Sequence, residues 1–150
     1  MYMFTTYDES VGQLTNQTNK LIMRYLNSKL ELYDITLEQW IVLLKLSQQD
    51  KITQKKLAEN VDKDQPTLAR ILDILERKKL VERKPNEKDR RAFSVQMTEK
   101  GINLKKHVTP LLENLFATIV EGISDEEIET YKRVLLKINR NITIQEKVEK

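Results

Sequence analysis

Cysteine is absent from the 150-residue chain, which excludes disulfides, thiol redox sensing and cysteine metal ligands. The one histidine, His107, cannot hold zinc alone, and no Asp/Glu/His cluster has ligand spacing. Neither a metal nor another cofactor is expected. Three glycines and three prolines supply little turn chemistry, so a mostly helical chain is expected. No apolar run approaches the ~20 residues that span a bilayer. Met1 to Ser10 carries Asp8 and Glu9 and lacks both a basic start and a long apolar stretch. No secretory leader is therefore expected, and the protein is placed in the cytoplasm. Catalytic signatures are missing too: there is no Ser/His/Asp order, no Gly-rich phosphate loop and no cofactor motif, so an enzyme is not expected.

What remains is an ordinary folded composition, 39% hydrophobic and 33% charged, with length for one domain and a real core. The net charge of +3 is modest, but it is unevenly placed. Basic residues are dense from Lys51 to Arg91, including Arg77, Lys78 and Lys79, then Arg83, Lys84, Lys88, Arg90 and Arg91. Leu111 to Glu129 has no Lys or Arg and gathers Glu113, Glu121, Asp125, Glu126, Glu127 and Glu129. A basic middle between near-neutral or acidic flanks suggests a face that binds a polyanion. Charge alone leaves a solvated surface equally open.

Periodicity supplies the elements. Val11, Leu14, Thr18, Leu21, Ile22, Tyr25 and Leu26 recur at steps of three and four, predicting a helix from about Val11 to Leu32. Thr36 with Gln39 reads as a capping box opening a second helix, striped by Leu37, Trp40, Ile41 and Leu44. Thr53 starts a short helix that buries Leu57, Ala58 and Val61. Asp62 to Gln65 then forms a polar turn, and Pro66 falls in the first turn of the next helix. That helix buries Leu68, Ile71, Leu72 and Leu75, while Arg70, Asp73 and Arg77 point outward and Thr67 lies at the flank. After Leu80 the period drops to two over Val81–Lys84 and Phe93–Met97. This predicts a two-stranded hairpin with a basic loop from Pro85 to Arg91. Thr98 caps a long helix striped by Leu104, Val108, Leu111, Leu112, Leu115, Phe116, Ile119 and Ile123, with a kink or break expected near Thr109, before Pro110. Ser124 with Glu127 opens a last helix expected to bury Ile128, Tyr131, Val134, Leu135 and Ile138, and the tail from Gln145 is expected to fray.

Short helix, polar turn, second helix and basic hairpin form the order of a winged helix-turn-helix. The fold class is therefore mainly α with a small β-hairpin wing (α+β). In such an arrangement the second helix needs an apolar inner face and a polar outer face that reads base edges in the major groove. A basic loop suits phosphates or a minor groove. Beyond this pattern, Gln65 to Arg83 resembles the recognition helix and first wing strand of the MarR family. Asn86-Glu-Lys-Asp-Arg-Arg91, followed by Val95-Gln-Met-Thr-Glu-Lys-Gly101, resembles that family's wing and the start of its next helix. The resemblance extends over nearly the whole chain.

It implies a DNA-binding lobe over residues 31–101 and dimerisation helices over 8–30 and 102–144, within one domain spanning 1–150. By position, Gln65, Thr67 and Arg70 meet the major groove, Arg91 enters the minor groove, and Asp89 holds the wing. Arg77, Lys88 and Arg90 complete the expected DNA-binding set. For Asp89 and Arg91 a surface salt bridge is the plainer reading, and the two can hold together. Lys79 stands where the family usually has glycine. A homodimer binding an inverted repeat in double-stranded DNA is implied, with repression as the default and a small aromatic or phenolic effector as the signal. Tyr25, Tyr33 and Trp40, with Phe116, are candidate pocket residues, although aromatics at helical spacing also serve as core. The competing function is a winged-helix module that binds proteins and not DNA. Such a module has no need for Arg90 and Arg91 at a loop tip.

Overall fold

The computed structural model describes residues 10–49 and 51–149. The leader reading of Met1 to Ser10 and the start of the 8–30 segment lie largely outside them. Helix α1 spans Val11–Leu30 and ends in a 3-10 turn, Glu31–Tyr33. Helix α2 (Leu37–Gln48), strand β1 (Ile52–Thr53), helix α3 (Gln54–Asn60) and helix α4 (Gln65–Arg77) follow. Strands β2 (Val81–Pro85) and β3 (Phe93–Met97) come next, then helices α5 (Glu99–Ile119) and α6 (Asp125–Val148). Among the described residues no helix is long and apolar enough to cross a membrane. The described residues fall into two units, divided between Leu115 and Phe116.

The first unit holds the core. Leu26 and Leu30 of α1, Val42 and Leu43 of α2, Leu57 of α3 and Val108 of α5 are fully buried, together with Leu68, Leu72 and Leu75 of α4. Both sides of the junction between α1 and α2 are tied: Thr36 and Gln39 make the reciprocal capping box, and Asn27 Oδ1 accepts from Leu37 N at 2.8 Å. The inward stripe of α2 differs from expectation. Leu37 and Trp40 are buried as read, but Val42, Leu43 and Leu46 complete the core while Ile41 and Leu44 are half-buried. A helix as apolar as α2 offers several competing stripes, and packing chooses among them.

Two helix ends carry the same device. At α3, Lys63 N donates to Ala58 O at 3.1 Å and Asp62 N to Glu59 O at 3.3 Å, with Asp62 left-handed at φ 52°. At α4, Leu80 N donates to Leu75 O and Lys79 N to Glu76 O, both at 2.9 Å, with Lys79 at φ 61°. Both are Schellman motifs, in which the left-handed residue lets the chain turn back and satisfy the last carbonyls. Aspartate tolerates that conformation better than lysine. Lys79 therefore keeps the turn that glycine would make without strain. Lys79→Gly is expected to raise stability by about 1 kcal/mol, read as a higher denaturation midpoint.

The sheet has three strands, not two, in the order β1-β3-β2 and antiparallel throughout. Strand β1 pairs Ile52 with Val95 and Thr53 with Ser94. Two residues are too few to show a period, which is why the hairpin alone was legible. Of the kink or break expected near Thr109, there is no break: helix α5 runs on through Pro110. Pro110 and Lys106 are exposed, so water can serve the carbonyl that proline leaves without a donor.

In the second unit, α6 begins at the expected box, Ser124 with Glu127, and continues to Val148, so the expected fraying from Gln145 is not seen. It has no buried residue: Tyr131 and Val134 are 51% and 48% exposed, and Ile128, Leu135 and Ile138 are half-buried. Amphipathic spacing gives a helix an apolar face without specifying what covers it.

Candidate nucleic-acid interface

Helix α4 starts at Asp64, whose Oδ1 accepts from Thr67 N at 2.7 Å. This hydrogen bond, joined by the nearby Arg70, holds the Asp64 carboxyl below its ordinary range. Gln65, expected to close the turn, is already the first helical residue, and Pro66 lies beside it where no N–H is needed. The buried stripe is Leu68, Ile71, Leu72 and Leu75, as the spacing predicts. The opposite face presents Gln65, Arg70, Asp73 and Arg77 to solvent, with Thr67 half-buried. Arg77 Nε donates to Asp73 O at 3.4 Å.

The wing loop is organised by Asn86, which the sequence reading did not single out. Its Oδ1 accepts from Lys88 N at 2.9 Å and Asp89 N at 3.1 Å, and its Nδ2 donates to Ser94 Oγ at 2.7 Å. An asparagine opening a polar loop is the available signal, since its side chain mimics a backbone turn. Asp89 Oδ1 accepts from Arg91 N at 3.0 Å, and Asp89 O accepts from Ala92 N at 3.0 Å. Asp89 thus touches Arg91 through the backbone. Among the described residues no carboxylate forms an ion pair with Lys88, Arg90 or Arg91, all of them exposed. Three free cations stand at one loop tip.

Helix and wing are clamped together. Arg83, on β2, meets Asp73 Oδ1 at 2.5 Å and Glu76 Oε2 at 3.3 Å, and its backbone N–H donates to Glu76 at 3.1 Å. The hydrogen bond that the guanidinium donates to Glu76, opposed by burial and reinforced by the one to Asp73, holds it above its ordinary range. Sequence reading counted Arg83 only as part of the dense basic stretch. Its strand period, shared with Val81 and opposite Val95, already put it on the inner face. Lys78 is likewise turned inward, its Nζ 2.5 Å from Asp34 O and 3.3 Å from Gln39 Oε1. The Arg83 fork to the Asp73 and Glu76 carboxylates is worth more than an isolated surface pair. Arg83→Met is expected to cost about 1 kcal/mol at low salt and less at high salt, measured by denaturant unfolding.

The aromatic candidates are dispersed. Trp40 is 5% exposed in the core, and Tyr25 is half-buried with Lys29 Nζ 5.8 Å above its ring. Tyr33 lines an open hollow of about 300 Å³ with Asp34, Lys78, Lys100, Leu104 and His107. Phe116 is exposed.

A helix pair with a tight turn, joined to a three-stranded sheet whose β2–β3 hairpin carries a basic loop, defines a winged helix-turn-helix protein. A model of the MarR family matches residues 35–93. Among solved structures, the S. aureus MepR–DNA complex is 30% identical with a TM-score of 0.81, over 91% of this chain and 99% of that one. A mutant E. coli MarR complexed with operator DNA is also 30% identical with a TM-score of 0.81, over 85% and 92%. A MarR transcriptional regulator from Methanosarcina mazei is 25% identical with a TM-score of 0.77, over 89% and 97%. The chain belongs to the MarR family of winged-helix DNA-binding transcription regulators.

Proposed function

We propose that this protein is a homodimeric, sequence-specific regulator that represses transcription by occupying an inverted-repeat site in promoter DNA. Helix α4 enters the major groove with Gln65, Thr67 and Arg70 toward the bases and Arg77 toward the backbone. Arg91 enters the adjacent minor groove, Lys88 and Arg90 neutralise phosphates, and Asp89 orders the loop. The observation that carries this reading is the clamp by which Arg83 ties the outer face of α4 to a wing with three unpaired cations at its tip. A rigid two-part reader needs that link. DNA complexes of relatives 30% identical support it.

Support for the dimer comes from two apolar faces. On α1, Val11, Leu14 and Leu21 are 39%, 49% and 55% exposed; on α6, Tyr131, Val134 and Ile142 are similarly open. A second copy covering both would place two recognition helices about 10–10.5 base pairs apart, or a multiple of that. A small aromatic or phenolic effector would act through the Tyr33 hollow and the half-buried Tyr25, while Trp40 supports from within the core. A gel shift on the protein's own promoter region, with sedimentation of the free protein, tests the reading. A retarded complex and a dimer at micromolar concentration are expected. A stable monomer that retards no promoter fragment would refute it.

A further inference from the structure

The outer face of the wing sheet carries a second basic site. Arg83 and Val95 face inward, so by the two-residue period Lys84 and Ser94, which are register partners, stand on the opposite side, away from α4. Strand β1 widens that face: Thr53 pairs with Ser94, and Lys51, left-handed at φ 52°, sits at its rim. Lys51, more than thirty residues away in sequence, joins Lys84 and Lys88 in lining one groove of about 630 Å³ with Thr53, Asn86 and Ser94. Part of that lining is fixed by the Asn86–Ser94 hydrogen bond of 2.7 Å. Lys51 and Lys88 form no ion pair with any described residue. Lys84 is 3.6 Å from Glu82, whose carboxylate already accepts from Gln96 Nε2. Glu87 is the single acid in the lining. Three ammonium groups over hydroxyls and an amide suit an oxyanion, which lysine meets as a mobile point charge.

We propose that this groove takes backbone phosphates of the duplex beyond the minor groove the wing tip enters, making Lys51 and Lys84 DNA-contacting residues. The proposal rests on the DNA-binding reading above and extends its footprint outward, because the lysine face points away from α4. A free phosphate ion has the same chemistry, and the test separates the two.

The test compares the full-length protein with the Lys51→Gln/Lys84→Gln double variant on a selected duplex. One duplex extends a helical turn past the wing and one is trimmed at it. Both lysines are exposed, so folding is not at issue. Each phosphate neutralised contributes about −0.9 to the slope of log K against log salt. On the long duplex the variant should show a slope shallower by about one to two units, with base preference unchanged. Between about 50 and 200 mM salt, the parent should lose roughly three- to tenfold more affinity than the variant. On the trimmed duplex the two should coincide. Equal slopes and affinities on the long duplex, while Arg91→Ala still loses binding, would overturn the proposal and leave the DNA-binding reading standing. Failure of the parent to bind any duplex would overturn both. Saturable binding of inorganic phosphate at Lys51 and Lys84, with no change of slope on DNA, would assign the groove to a free anion and also overturn it.

Discussion

Gly101→Ala is expected to lower stability by about 3 kcal/mol, the upper end of what overpacking costs. An added Cβ would lie 2.2 Å from Leu80 O, which is backbone and cannot rotate away. That carbonyl already accepts from Thr98 N at 3.1 Å, and Gly101 N donates to Thr98 Oγ1 at 3.1 Å. Leu80 and Val81 are buried at the same place, so neither side of the contact has room to retreat. The start of α5 would have to lift off the turn that joins α4 to the wing. At roughly 2–4 °C per kcal/mol for a chain of this size, the melting temperature should fall by about 10 °C. A fall of only a degree or two would mean that α5 is not pinned on Leu80. The same junction contains Lys79, so Lys79→Gly and Gly101→Ala should move stability in opposite directions.

The second large effect is on binding. Arg91→Ala should weaken DNA binding at least about tenfold, and should do so across sequences, because a minor-groove arginine senses groove width and potential more than base identity. Asp89→Ala should give a smaller loss of the same kind, since it frees the Arg91 amide without removing a cation. Arg70→Ala should behave differently if Arg70 reaches a guanine edge. The loss is then about 1–3 kcal/mol on the preferred site, with relaxed preference at one base position. If Arg70 meets phosphate instead, preference stays and the salt slope falls by about one unit. All three side chains are exposed, so melting temperatures should hold. Arg91→Ala binding as tightly as the parent would show that the wing tip does not touch DNA.

Local chemistry made much of this fold legible. The boxes at Thr36 and Ser124 and the stripe of α4 depend on residues three or four apart, and the structure has them where the spacing puts them. The resemblance placed the wing, and the departure at Lys79 turned out to be a strained version of the same turn. What stayed hidden depends on partners distant in sequence. Strand β1 exists because β3 has an edge to pair with, not because Ile52 and Thr53 announce it. Arg83 and Lys78 read only as members of a basic stretch until Glu76, Asp73 and Asp34 are brought to them. The basic middle is therefore sorted by the fold into side chains that brace the reader and side chains left for a polyanion. Pro110 reads as a kink or break because the helical penalty is local, whereas its cost depends on whether water reaches the freed carbonyl. The apolar face of α6 was legible, but what covers it was not.

The most direct measurement is selection of duplexes from a random pool by the purified protein, followed by titration of the enriched sequence across salt concentrations. The account predicts an inverted-repeat sequence bound by two protomers, with log affinity falling steeply as log salt rises, by about 0.9 for each phosphate engaged. No enriched sequence, or an affinity nearly independent of salt, would contradict it.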